Sequence, residues 1–235
     1  MILLKSFNHE KGFMEHLKED FIIDLIKRYP KLASCKDDIL ESFEVMKEAF
    51  KEGRTLFVVG NGGSASDSEH IVGELMKGFI NKRPLSQRYQ SIFEDINPSL
   101  GYDLYISLQY GLPTICLNSH PSLLSAFSND IDAQKAYAQQ LFALGKGNDI
   151  LLCITTSGNS INIVNTAIVA KAIGMKVLCL TGSSSGQVCQ YSDVVVNVPE
   201  TITYLIQELH LPIYHYWCLM LEDYFFSLKR ENDEA

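Results

Sequence analysis

Leu56-Phe57-Val58-Val59-Gly60-Asn61-Gly62-Gly63-Ser64-Ala65-Ser66-Asp67 is the stretch on which the reading of the fold turns. Its first four residues are wholly apolar and too few for a helix. A short apolar run bounded by turn residues is the pattern of a strand buried on both faces. The glycines that follow break the strand, and the spacing predicts a helix from Ser64 to about Phe79. Strand, glycine loop and helix in that order begin a βαβ unit. Ligands of open α/β sheets bind at this carboxyl end, where loop amides and helix N-termini point outward.

The same alternation returns further along the chain. Strand 113–117 is followed by helices near 121–128 and 132–144. Strand 150–155 leads to helix 160–173, strand 176–180 to a short helix near 184–190, and strand 194–198 to a long helix from about 203 to 228. Upstream, residues 10–52 read as two helices. The first lies around Phe13, Leu17, Phe21, Ile22, Leu25 and Ile26; the second runs from near Asp37 to Phe50, with Gly53 as its stop. Residues 81–112 are an irregular excursion carrying one or two short helices. The expected fold is a three-layer α/β/α sandwich with a central parallel sheet, Rossmann-like or flavodoxin-like, preceded by N-terminal helices. No linker divides the chain, so 1–235 is expected to be one domain: a helical extension over 1–52 packed on an α/β core over 53–235.

An apolar fraction of 46% in 235 residues suffices for such a core. No apolar run approaches the ~20 residues of a spanning helix. Met1-Ile2-Leu3-Leu4 is too short for a signal peptide, so a cytoplasmic protein without membrane contact is expected. The six cysteines form no CxxC pair and no disulfide framework. A net charge of −8 argues against nucleic-acid binding. It leaves room for a phosphorylated small molecule, because backbone amides and hydroxyls can hold a phosphate without a basic side chain.

Two loops and one helix carry the candidate chemistry. Gly60-x-Gly62-x-x-Ala65 meets the loose dinucleotide spacing, but the acidic residue about 20 positions on, at the end of a second strand, is missing. No nucleotide cofactor is expected, and tight turning alone is the alternative use of these glycines. Thr155-Thr156-Ser157-Gly158-Asn159-Ser160 ends a strand and opens a helix. Capping by Ser160 explains one hydroxyl, not four. Several donors around a helix N-terminus suit a phosphate, with Asn61 and Ser64 of the first loop adding to them. His70 and Glu74, four residues apart, share one helix face. A solvated surface pair is the bland alternative.

Taken together, Gly60 to Asp67 with His70 and Glu74, Ile154 to Ser160, Ala170 to Val177, Leu180-Thr181-Gly182, and Ile206 to His210 with His215 resemble the sugar-isomerase (SIS) domain family. The likeness is nearest to its phosphoheptose isomerases. The resemblance implies aldose–ketose isomerisation of a phosphosugar through an enediol, with sedoheptulose 7-phosphate and a heptose 7-phosphate as the expected pair. It implies Glu74 and His215 as the acid–base residues. Asn61, Gly62, Ser64, Asp130, Thr155, Thr156, Ser157, Ser160 and Gln207 would bind substrate. His70, Glu74, Gln207 and His215 would hold a divalent metal, zinc by expectation. A homo-oligomer, tetramer or dimer, is implied too, and the apolar first helix is expected to supply an interface. The alternatives are a non-catalytic SIS-domain regulator or protein-binding module, or an isomerase of another phosphosugar.

Several features stand apart from that pattern. Lys77-Gly78-Phe79 occupies the place where the family carries an arginine, and the next arginine is Arg83. Tyr204 precedes Gln207, and 86–111 is longer than in compact members. Gln207 and His215 are eight helical residues apart, a rise of about 12 Å. Either a kink or restart at Pro212 or a second protomer is expected to bring them together. His210 is expected to be structural.

Overall fold

The computed structural model describes residues 19–227. Among them, five strands form one parallel sheet in the order β2-β1-β3-β4-β5. These are β1 (Leu56–Gly60), β2 (Thr114–Cys116), β3 (Ile150–Ile154), β4 (Lys176–Thr181) and β5 (Val194–Asn197). Val58 at the centre of β1 is in register with Cys116 of β2 and Leu152 of β3. The described part of α1 covers 19–28. It is followed by α2 (Lys36–Lys51), α3 (Gly63–Met76), α4 (Arg88–Ile96), α5 (Gly101–Ser107), α6 (Pro121–Phe127), α7 (Ala136–Leu144), α8 (Ile161–Ala172) and α9 (Thr203–Glu222).

Strand alternation divides the core between the two faces. Leu56 and Val58, Leu152 and Ile154, and Leu178 and Leu180 pack with residues of α1, α2, α3 and α9. Phe57 and Val59, Leu151 and Cys153, and Val177 and Cys179 pack with α7 and α8. A side chain buried on either face is worth roughly 1.5–3 kcal/mol. A charge at Val58, which is wholly buried, would therefore break the sheet at its centre. The expected three-layer sandwich is the observed one.

Some expectations meet corrections. Helix α3 stops at Met76, three residues early, because Lys77 turns to extended backbone and the Glu222 carboxylate accepts the N–H groups of Phe79, Ile80 and Asn81. The segment from 132 begins as a tight 3-10 turn, Ala133–Lys135, capped by Asp132. Helix α9 does not restart at Pro212 but runs on as one helix. An interior proline costs about 3 kcal/mol. Burial of Ile206, Ile213, Tyr214 and Trp217 on both sides of it outweighs that cost.

The N-terminal segment belongs to the chain's own core. Ile22 and Leu25 are buried, and Phe21 and Ile26 pack against them. Tyr216 of α9 donates to Asp24, and Trp217 donates to the Ile39 carbonyl at 2.9 Å. The apolar residues expected to form an interface are thus largely used within the chain; Phe13 and Leu17 lie outside the described residues. The excursion instead carries α4 and α5, which expose Ile92, Ile96, Leu104 and Ile106. Among the described residues no helix is long and apolar enough to cross a membrane.

Candidate active site

From β1 the chain steps outward to β2, and from β3 it steps the other way to β4. The carboxyl ends of β1 and β3 therefore flank the switch point, where an open sheet leaves a crevice. The glycine loop leaves β1 into α3, and the hydroxyl loop leaves β3 into α8. A reciprocal amide pair joins them: Asn61 Nδ2 donates to Asn162 Oδ1 and Asn162 Nδ2 to Asn61 Oδ1, each at 2.9 Å. Asn118, just after β2, braces the first loop by donating to the Gly60 carbonyl at 2.8 Å and accepting from its N–H.

Neither α3 nor α8 has a side-chain cap; the Ser64, Ala65 and Ile163 amides bond the Asn61, Gly62 and Ser160 carbonyls, which leaves the first amides of each helix for a ligand. Ser160 occupies the cap position without using its hydroxyl there. Thr155 is buried and accepts from the Gly158 N–H at 3.2 Å, which shapes the loop from within. Ser157 accepts from the Asn159 N–H and keeps its own proton to donate. Gly158 and Gly186 meet backbone to backbone; a Cβ on Gly186 would lie 2.4 Å from the Gly158 carbonyl carbon. The turn beyond β4 thereby closes on the hydroxyl loop.

The other wall is built by α3 and α9, which lie side by side and run the same way. Gly63, Asp67, His70 and Glu74 form one stripe of α3, at the i, i+4, i+7, i+11 spacing of a helix face. Gln207 sits against Gly63, where a Cβ would come within 2.6 Å of its Nε2. One to two turns on, Tyr214 donates to Asp67 Oδ1 at 3.1 Å and stands 3.1 Å from His70 Nδ1. The rings of His70 and His215 meet edge to face at 5.0 Å, with Phe79 on the far side of His215. Glu74 Oε1 lies 3.2 Å from His70 Nε2, and its Oε2 lies 3.2 Å from Lys77 Nζ.

Burial, and then the neighbouring His70, hold the His215 imidazole below its ordinary range. Its Nε2 is buried without a hydrogen-bond partner. A neutral imidazole with a free lone pair can accept a proton. Burial pushes the Asp67 carboxyl up, against the pull of the Tyr214 bond, and pushes the Tyr214 hydroxyl up as well.

Arg83 lies behind the site rather than in it. Its buried guanidinium donates to the Leu75 carbonyl at 2.8 Å and the Glu74 carbonyl at 3.2 Å, closing the end of α3. It pairs with Glu222 at 3.0 Å. Lys77, not Arg83, supplies the cation beside the Glu74 carboxylate.

His70, Glu74 and His215 are brought together with each other. Gln207 is held at the glycine loop, about 12 Å of helical rise from His215. Asp130 lies apart, in the exposed turn Ser128–Asp132, bonded to Asn129. His210 is fully buried, and burial pushes it down to about 4 against a weaker pull from the Thr181 backbone. Among the described residues no three His, Cys, Asp or Glu side chains are disposed to hold a metal ion. Sequence reasoning missed Tyr214, Asn118 and the site role of Asp67. The Asp67–His70–Glu74 stripe was the available signal.

Comparison with known proteins agrees with the fold. Residues 104–182 match the SIS domain family model. The chain is 32% identical over 190 residues to a phosphoheptose isomerase of Thermodesulfovibrio yellowstonii, covering 81% of this chain and 82% of that protein. It is 30% identical over 208 residues to one of Shewanella denitrificans, covering 87% and 93%. The structure of a phosphoheptose isomerase from Francisella tularensis superposes with a TM-score of 0.69 at 25% identity, over 93% of this chain and 98% of that one.

Proposed function

The chain belongs to the phosphoheptose isomerase family of SIS-domain proteins, and from that premise we propose that it interconverts sedoheptulose 7-phosphate and a heptose 7-phosphate. The observation that carries the proposal is the pair of uncapped helix starts at the glycine and hydroxyl loops, with Glu74, His70 and His215 clustered further along α3 and α9.

In this reading Ser157, Ser160, Thr156, Ser64 and the amides of Gly62 and the α8 start hold the phosphate. Thr155 and Asn61 hold the loops in shape, and Gln207 meets the sugar where α9 crosses Gly63. Asp130 is assigned to the sugar hydroxyls by resemblance alone. Glu74 takes a proton from C1 of the ketose, the C2 carbonyl oxygen gains one from His215, and an enediol results. Return of the carbon-bound proton to C2, with loss of the C1 hydroxyl proton to His215, gives the aldose. Lys77 and His70 keep the Glu74 carboxylate turned toward the crevice.

A divalent cation, zinc first, belongs to the proposal through His70, Glu74 and His215. Such an ion would polarise the carbonyl and steady the enediolate. Lys77 Nζ and His70 Nε2 each lie 3.2 Å from a Glu74 oxygen. The proposal includes one SIS domain over 1–235, supported by the packing of α1 and α2 on the sheet. It includes a homo-oligomer, supported by the exposed apolar residues of α4 and α5; sedimentation as a monomer at micromolar concentration would remove that part.

The test is incubation of purified protein with C5 to C7 ketose phosphates, with and without a chelator. Aldose formation from the C7 substrate is expected. Binding of the sugar phosphates without turnover would replace the enzyme by a sugar-phosphate sensor. Full activity after chelation would remove the zinc and leave the acid–base roles.

A further inference from the structure

We propose that Cys189 is a peroxide-reactive thiol with Cys179 as its resolving partner, and that their oxidation reshapes the hydroxyl loop. All six cysteines are free, and Cys189 alone among them is not buried. It sits on the 3-10 turn Gln187–Tyr191, which joins β4 to β5 and packs on β4 and α8. Two more sulfurs lie beneath it. Cys153 of β3 and Cys179 of β4 are register partners, both buried on the sheet face that α7 and α8 cover, and Cys189 packs against that same cluster. The Cys179 thiol hydrogen-bonds the Cys189 sulfur. A cysteine placed only to fill the core is a small hydrophobe, which accounts for Cys153. It does not account for a sulfur that solvent reaches, backed by a second one that solvent does not. That is the arrangement of an attacking and a resolving thiol.

The surroundings divide the two roles. The hydrogen bond from Cys179, and then the Gly186 and Cys189 backbone, pull the Cys189 thiol down to about 7 against its partial burial. The same hydrogen bond and burial push Cys179 up, so that it keeps its proton. About half of Cys189 is thiolate at pH 7, against about 3% of an ordinary cysteine. The oxidant is a hydroperoxide. The Cys189 thiolate attacks its outer oxygen; an S–O bond forms, the O–O bond breaks, and the departing oxygen takes up a proton as water or an alcohol. The sulfur, oxidised by two electrons, is now a sulfenic acid. Cys179 attacks that sulfur; the S–S bond forms, the S–O bond breaks, and hydroxide leaves with the Cys179 proton as water. Two thiols and one hydroperoxide give one disulfide, one water and the reduced peroxide.

The turn that carries Cys189 also holds the hydroxyl loop. The Gln187 N–H donates to Asn159 Oδ1 and the Val188 N–H to the Gly158 carbonyl, each at 3.0 Å. Gly186 lies against Gly158 with no room for a Cβ. A covalent bond brings two sulfurs closer than a hydrogen bond does, so the bridge draws the turn toward β4 and moves the amides that hold Gly158 and Asn159.

Iodoacetamide labelling of the full chain at pH 7, read by peptide mapping, is expected to modify Cys189 about tenfold faster than any other cysteine. Hydrogen peroxide is expected to link the peptides of Cys179 and Cys189 with loss of two hydrogen atoms, and dithiothreitol to separate them. Cys179→Ala should stop at a sulfenic acid on Cys189 that dimedone traps, and Cys189→Ser should form neither product. In the bridged wild type KM for the sugar phosphate should rise roughly fivefold at unchanged kcat, as for one donor lost from the loop, while KM of Cys189→Ser ignores peroxide. Labelling of Cys189 no faster than that of the buried cysteines, or a bridge through Cys153 instead, overturns the proposal. A Cys179–Cys189 bridge that leaves KM where it was overturns the coupling to the loop. Only this kinetic arm rests on the isomerase reading: a wild type without isomerase activity would sink that reading, and the peptide map would still decide the thiol pair.

Discussion

On one wall of the crevice the ligand-facing groups come from two short segments, 60–64 and 155–160, each following its own strand. On the other wall, His70 of α3 meets Tyr214 of α9 across 144 residues of sequence, and Glu222 closes the end of the helix that Gly63 begins. The first wall offers hydroxyls and amides, groups that bind the same way in ground and transition states. The second offers titratable groups brought together by tertiary contact. On the proposed function binding and chemistry are separated in space, and the separation can be tested by asking which wall moves kcat and which moves KM.

Glu74→Gln is the largest test of the helix wall. It keeps the shape and removes the base, so kcat should fall about 10²–10⁴-fold while KM for the sugar phosphate stays within twofold or so. Steady-state kinetics on the true substrate checks both numbers. Wild-type turnover would dissolve the division between the walls, because the carboxylate nearest the crevice would then do nothing.

Arg83→Met asks what anchors that wall. The guanidinium closes α3 and pairs with Glu222, and both side chains are buried. Removing one partner leaves a buried carboxylate, a loss of about 3–5 kcal/mol, measurable as a shift of the denaturant midpoint. Three backbone N–H groups still reach Glu222, which favours the lower end of that range. The double variant Arg83→Met, Glu222→Leu should recover part of the loss. The loop wall has no comparable anchor, so Ser157→Ala should leave the midpoint nearly unchanged.

The two walls also differ in how far the sequence announces them. Strand, glycine loop and helix follow one another within 56–79, and burial on both faces is implied by the continuous apolar runs, so the sheet and both loops were legible. The His70–Glu74 pair was legible from i, i+4 spacing. Its partners were not, because nothing local says that α9 lies along α3 with Gln207 on Gly63. The same gap explains Pro212: local chemistry predicts a restart, and packing on both sides holds one helix. It explains the first helix too, whose apolar surplus looks like an interface until Tyr216 is seen against Phe21 and Asp24. The sequence marks Arg83 only as the next arginine after Lys77, and the contact with Glu222 shows its structural use.

His210 sharpens the comparison at the seam between α9 and the sheet. Fully buried, it is pushed from 6.5 to about 4. A depressed histidine stays neutral when folded while the unfolded chain takes up its proton. Stability should therefore fall as pH drops from 6.5 to about 4 and level off below that. The full shift corresponds to about 3 kcal/mol. A His210→Leu variant should lack this part of the slope when denaturant midpoints are compared across that window, and an identical slope would show that His210 is accessible to protons in the folded state.

The smallest effect belongs to the loop wall, and it separates the two walls most cleanly. Ser160 sits at the start of α8 with its hydroxyl unused as a cap, and Ser157 accepts one backbone bond but retains a proton to give. Each can donate to a phosphate oxygen that is bound equally in substrate and transition state. Two such bonds at about 0.5–1.5 kcal/mol each sum to roughly 1–3 kcal/mol, a rise in KM of about 5- to 150-fold. Because the lost energy is uniform binding, kcat at saturation should hold. The cap position adds a control: a serine that caps its helix would cost stability when replaced, whereas Ser160→Ala should not. A double Ser157→Ala, Ser160→Ala variant with a lower kcat and an unchanged KM would mean that the hydroxyl loop takes part in the chemistry, and the two walls would then have to be read as one.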